Sequence, residues 1–462
     1  MSILAAFVLP HPPLAIPDIG HGEENDISST LKAYDKVAKD IAAIKPDTII
    51  ISSPHAEAYS NYFQFADGDV GSGSFMRFRC PQVSFRIFYD KELTQRIALY
   101  AKSEDFPAGY EGEEDPSLNN DHGTMVPLYF INKYYRDYKV VRLGLSGLPL
   151  VEHYHMGQII KKAVNDLSRR CVYIASGDLS HCQKADGPYG YDQAGPKYDD
   201  LIMKTFAKAS FGDMLSYDPA LLEKAQECGH RSFCIMAGAL DRSAIRSQVL
   251  SHESPFGIGY GVSEFFVEGN DPSRAYRDLY LAKQAFQVRQ KVLNEDPYVH
   301  LARQSIEAYI TSKRVVRSSP LLPDEMTHEK AGVFVSIHEN GELRGCIGTT
   351  TPLQGSIAEE IINNAISAAS KDPRFPPLLT SDLPYIDVSV DVLSPYEEIN
   401  SVKYLNASKY GLIVEKGNRR ALLLPNLPGI DTVKKQISAC KRKAGIDEAE
   451  AVTMYRFEVV RH

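Results

Sequence analysis

Three short apolar runs, each followed closely by a histidine, constrain this chain more than any other feature. Ile3–Leu9 leads into Pro10 and His11, residues 47–53 lead into Pro54 and His55, and residues 171–175 precede His181 in Ser-Gly-Asp-Leu-Ser-His. Apolar runs of this length read as strands buried on both faces. Amphipathic stretches separate them. Residues 27–44 place Leu31, Tyr34, Ala38 and Ile41 at spacings of three and four, which predicts a helix. Further strands are expected at 138–145, 248–252 and 259–267, a helix at 155–167, and mostly helical stretches at 206–222 and 229–240. Strands alternating with helices define an α/β sheet with helices packed on its faces.

The character of the chain changes after residue 268. The polar stretch that follows is punctuated by Gly-Asn-Asp-Pro and Asn-Glu-Asp-Pro, with a linking helix expected at 274–293 between them. This sets the expected division at 1–268, a linker at 269–295, and 296–462. The last part opens with a helix at 297–311. A hairpin follows, 333–338 and 343–347 about Asn340-Gly341, since both positions of such a turn need positive φ. A helix at 353–370 and the strand Ile386–Leu393 complete an α+β reading.

Bulk properties exclude several classes. The chain of 462 residues is 44% hydrophobic and 24% charged, which is ordinary for a globular protein. A net charge of −8 argues against a nucleic-acid surface. The longest apolar runs are far short of the ~20 residues that cross a bilayer. No basic segment precedes an apolar one at the N-terminus, so no signal peptide is expected. The seven cysteines include no Cys-x-x-Cys pair, which fits reduced thiols and a cytoplasmic location.

Open α/β sheets bind ligands at the carboxyl ends of their strands. His11, His55 and His181 therefore face one rim, and His122, in Asn-Asp-His-Gly-Thr, lies on a loop expected to reach it. Glu253 lies where a later strand ends. Two imidazoles and a carboxylate with open positions suit a non-heme iron(II) oxygenase, and zinc in a hydrolase accepts the same set. His181 is the candidate acid/base, because imidazole titrates near neutral pH, with Asp178 three residues earlier to orient it. In the second half, glycines flank Cys346 in Leu-Arg-Gly-Cys-Ile-Gly. Arg344 is placed to favour a thiolate, and Arg374 to meet the same face.

The segments Phe7-Val8-Leu9-Pro10-His11-Pro12-Pro13, Ser53-Pro54-His55, Asp121-His122-Gly123, Ser176 to His181 and Glu253 to Tyr260 resemble the LigB-type catalytic subunit of class III extradiol dioxygenases and its Memo relatives. The resemblance implies a three-layer domain with a central, mostly parallel sheet. It implies Fe(II) held by His11, His55 and Glu253, with Glu264 the other candidate carboxylate. It makes His181 and His122 catalytic, with a catechol-like substrate and O2. The Memo relatives imply instead a metal- or peptide-binding protein. Leu343 to Gly348 and Asp372-Pro373-Arg374-Phe375 resemble the AMMECR-type domain. The fusion resembles the AmmeMemoRadiSam grouping, which implies a separate radical SAM partner.

Overall fold

A computed structural model describes residues 3–110, 120–339, 341–427 and 429–462. Asn340 of the expected hairpin turn lies outside them; Gly341 adopts φ +85°, as such a turn requires. The chain forms two compact units, Met1–Tyr280 and Leu281–His462, and the helix Tyr276–Val292 carries the boundary.

The first unit is built on a six-stranded sheet. Its spatial order is Lys139–Leu143, Thr48–Ser52, Cys171–Ser176, Ile3–Leu9, Tyr260–Asn270 and Ser243–Glu253. The first four strands are parallel, and Tyr260–Asn270 runs antiparallel to both its neighbours. Alternation along the strands explains the three layers. Ala5, Phe7, Leu9, Ile49, Ile51, Val172 and Ile174 enter one core with the helices Ser28–Ile44 and His122–Ile131. Ala6, Val8, Ile50, Tyr173 and Ala175 enter the other with Leu150–Asp166, Ala194–Lys208 and His230–Ala239. Every strand residue from Ala5 to Leu9 is fully buried. Burial on both sides explains why these runs lack polar alternation.

One expectation is corrected here, and one is resolved into pieces. Residues 206–222 are mostly helical as expected, in three segments. Ala194–Lys208 ends where Ala209 adopts φ +48°, and a 3-10 turn and the short helix Pro219–Ala225 follow. His122 does not lie on a loop but opens the helix His122–Ile131. The Asp121 side chain caps that helix by accepting the Thr124 N–H.

The second unit holds two antiparallel sheets of four strands each. The hairpin Gly332–Glu339 and Glu342–Gly348 joins Ile386–Leu393 in the first sheet, under the helices Pro297–Ser312 and Ile357–Ser370. Ser356 caps the latter helix, so it starts later than expected. The second sheet, with the helix Val433–Lys443 against it, was not anticipated. No helix among the described residues is long and apolar enough to cross a membrane.

Two core histidines couple this fold to pH. His153 donates from Nδ1 to the Pro149 carbonyl at 3.0 Å and accepts the Ser146 N–H at 3.4 Å. His230 donates from Nε2 to the Met214 carbonyl at 3.0 Å and accepts from the Tyr198 hydroxyl at 3.2 Å. Both are fully buried. Burial lowers their pKa values to about 3 and about 4. Below pH ~6.5 the unfolded chain takes up protons at these positions that the folded chain refuses. The stability they support is therefore present above pH ~6.5 and lost as pH falls toward the folded values, by about 1.4 kcal/mol per pH unit for each. The His153→Gln, His230→Gln double variant should be less stable than wild type at pH 7.5 and lose less on going to pH 5. Urea midpoints at the two pH values check this; equal slopes would refute it.

Candidate metal centre at the strand ends

Each expected imidazole leaves the sheet where its strand ends. His11 follows Ile3–Leu9 and is buried. Its backbone N–H donates to Asp178 Oδ1 at 2.8 Å. Ser176, the last residue of the Cys171–Ser176 strand, sets the ring. Its hydroxyl donates to the Gly123 carbonyl at 2.6 Å, so its oxygen accepts from His11 Nδ1 at 2.9 Å. That fixes the proton on Nδ1 and leaves Nε2 with a free lone pair. This Nε2 lies 3.0 Å from His55 Nε2 and 3.7 Å from Cys228 Sγ.

These spacings pass a coordination test. Donors about 2.0–2.3 Å from one ion sit about 3–4 Å apart. His11, His55 and Cys228 each offer a donor atom, all within 4.8 Å of one another. Cys228 precedes the helix His230–Ala239, and its sulfur accepts the Asp178 N–H at 3.3 Å. The sequence reading passed over it because it has no cysteine partner nearby. Its nearest sequence signal is Glu-Cys-Gly-His at a helix start.

Glu253 is not brought to this group. It ends the strand Ser243–Glu253, and its Oε1 accepts the Thr30 N–H at 2.6 Å, in the first turn of Ser28–Ile44. A carboxylate there satisfies a helix N-terminus. Glu264 is also elsewhere, paired with Lys36 at 2.5 Å. Asp178 does not orient His181 as expected. Its Oδ1 holds His11, its Oδ2 lies 3.8 Å from His11 Nε2, and His181 Nε2 is buried without a hydrogen-bond partner. His122 packs its ring 4.1 Å from that of His55 and 5.3 Å from that of His11. Phe78 and Tyr189 give the rim aromatic walls, against His122 and His181 respectively.

Burial dominates the electrostatics. It holds His11 well below its ordinary pKa, helped by repulsion from His55. It lowers His122 to about 3 and lowers His181 as well. It raises Asp178 to about 6 and pushes the Cys228 thiol well up. Asp121 is the exception. Burial opposes its ionisation, but Arg142 at 3.5 Å and hydrogen bonds from Ser53 and Thr124 hold its pKa below the ordinary value.

In the second unit Cys346 is half-buried, and its sulfur accepts from the Ser336 hydroxyl at 3.3 Å. Arg344 does not address the thiol: its guanidinium donates to the Pro376 and Pro377 carbonyls at 2.5 and 3.4 Å. Arg374 does reach Cys346, donating to its carbonyl at 3.0 Å, while Asp372 accepts the Cys346 N–H at 2.9 Å. The Arg374 hydrogen bonds hold Asp372 well below the usual carboxylate range. Gly345 serves packing, because a Cβ there would lie 2.3 Å from the Ala368 carbonyl oxygen.

Together these features define an α/β protein with a candidate metal centre on the carboxyl rim of its sheet. The model of the catalytic LigB subunit of aromatic ring-opening dioxygenase matches residues 5–263, more than half of the chain, and the chain belongs to that family. The AMMECR1 model matches residues 299–462, so the chain is a fusion of the two. A protein of Clostridium acetobutylicum is 41% identical over 468 residues, spanning 100% of this chain and 99% of that relative. A Thermotoga maritima protein is 46% identical over 173 residues, covering 37% of this chain and 99% of its own length. A solved structure of a protein from Pyrococcus horikoshii shares 33% identity, covers 36% of this chain and 88% of its own, and superposes with a TM-score of 0.33.

The Ser176 hydroxyl generates a test. In Ser176→Ala the His11 ring loses its Nδ1 partner but keeps its backbone anchor on Asp178. Affinity for Zn(II), measured against a competing chromogenic chelator, should fall about 10–100-fold with the fold intact. Unchanged affinity would mean that the ring is oriented by packing alone.

Proposed function

We propose that the first unit is a metal-dependent oxidoreductase that opens catechol-like rings with O2, with iron(II) held by His11, His55 and Cys228. The observation that carries the reading is the convergence of these three donors at coordination spacing beside a further imidazole, that of His122. Iron(II) bound there would supply a site where a deprotonated diol and O2 can meet. The chain's own residues do the rest. Ser176 holds His11 in the tautomer that offers Nε2. Burial keeps His122 neutral near pH 7, so its ring is able to accept a hydrogen bond from a phenolic hydroxyl, whose pKa bound iron(II) would lower. Phe78 and Tyr189 offer faces for a planar ring.

The thiolate donor supports a second reading. Loss of the carboxylate from the ligand set fits a Memo-like metal-binding protein without ring cleavage, since the resemblance implies that Memo relatives replace that position. In that reading the second unit serves recruitment, with a radical SAM protein as the partner.

Anaerobic reconstitution with Fe(II), followed by oxygen uptake against a panel of catechols, tests both. Wild type should bind iron and consume oxygen. Cys228→Ala and His55→Ala should lose iron, whereas Glu253→Ala and Glu264→Ala should retain it. His122→Ala should keep iron and turn over roughly 10²–10⁴-fold more slowly. Full iron content in Cys228→Ala would refute the ligand set. A full iron load with no oxygen uptake on any ring would favour the second reading.

A further inference from the structure

We infer that the same rim holds a second metal position, formed by Asp178, His181 and Cys228, which shares the Cys228 sulfur with the first. The inference rests on the reading that Cys228 binds metal. It does not depend on which metal is native or on the substrate.

Two sets of donors meet the spacing criterion among the described residues, His11 with His55 and Cys228, and Asp178 with His181 and Cys228. Within each set the donor atoms lie within 4.8 Å of one another, but the five residues do not form a single set. One ion with ligands at about 2.0–2.3 Å cannot hold donors further apart than about 4.6 Å. A single ion therefore does not gather all five side chains in this arrangement, whereas two ions sharing the sulfur do.

The second set also has unused ligand capacity. His181 Nε2 is buried and has no hydrogen-bond partner, an arrangement that buried polar atoms normally avoid. Asp178 commits Oδ1 to the His11 N–H, while its Oδ2 stands 3.8 Å from His11 Nε2 and makes no hydrogen bond to any described residue. The backbone holds the set together. A Cβ on Gly177 would lie 2.2 Å from Gly229 Cα, so only a glycine lets these two turns touch. That contact brings Asp178 beside Cys228, with its N–H 3.3 Å from the sulfur.

The chemistry is balanced. On metal entry the Cys228 S–H bond breaks, its proton goes to solvent, and the thiolate keeps the electron pair for coordination. Its remaining lone pairs allow it to bridge two ions about 3.5–4 Å apart, the usual spacing of two-metal sites. Two dications against one thiolate and one carboxylate leave two positive charges, which favours an anionic ligand or substrate at this rim.

Cobalt(II) titration of the metal-free, full-length chain under anaerobic conditions tests this. Wild type should bind two equivalents. The first should bring a thiolate-to-cobalt absorption band, and the second should lower the paramagnetic resonance intensity per cobalt, because the ions couple through sulfur. His181→Ala and Asp178→Asn should each bind one equivalent, keep the absorption band and show uncoupled cobalt. Thermal unfolding identifies any variant that fails to fold, and two variants on different elements guard against that loss. One equivalent in wild type with the thiolate band present would overturn the second position alone, leaving His181 free to move protons. A second equivalent that survives in both variants would overturn it too. Absence of a thiolate band at any loading would overturn the underlying assignment of Cys228.

Discussion

A strand buried on both faces can present chemistry only where it ends. Within Ile3–Leu9, Thr48–Ser52 and Cys171–Ser176 the side chains fill two apolar cores and the backbone is committed to the ladder. Polar groups appear where the strands run out, at Ser52, Ser53, Ser176, His11 and His55. Parallel alignment puts those ends on one rim, so residues more than 150 positions apart in the chain become neighbours, as the 165-residue separation of His11 and Ser176 shows. The candidate centre depends on this constraint.

The rim is also a place where bare charge is disfavoured. Burial chiefly disfavours the charged forms of His11, His122 and His181, keeps the Cys228 thiol protonated and raises Asp178 toward neutrality. A cation reverses that balance, because its charge lowers the cost of ionising Cys228 and Asp178 together. The hydrogen bonds around the donors orient them without supplying charge. Ser176 holds a ring, and the Asp178 carboxylate holds the His11 backbone. Asp121 is kept ionised by Arg142 and caps the helix that carries His122.

The second unit uses a different arrangement. Cys346 sits on a hairpin strand pinned on both backbone sides by the Asp372–Arg374 pair. Its thiol takes a hydrogen bond from Ser336, while Arg344 ties down the Pro376–Pro377 loop. The rigidity of this corner comes from charge-assisted bonds on the backbone, and Arg374, which makes one of them, also interacts with the Cys346 side chain.

Periodicity determined the sheet class and the strands leading to His11, His55 and His181, and the Asn340-Gly341 turn signal determined the hairpin that carries Cys346. Apolar runs and three-four spacings report local burial, which is a property of adjacent residues. The helix that His122 opens was missed although its signal is local, the Asp121 side chain accepting the Thr124 N–H three residues on. The second sheet of the last unit was not legible, because its short strands, such as Glu397–Ile399, carry little pattern of their own. Tertiary structure also decided which third group joins the two imidazoles. In sequence Glu253 is a carboxylate at a strand end and Cys228 an isolated thiol. In the fold Glu253 is spent on the first turn of the Ser28–Ile44 helix, and the close approach of Gly177 to Gly229 carries Cys228 to within 3.7 Å of His11. Such contacts are set by how turns from distant segments pack, which no local pattern encodes.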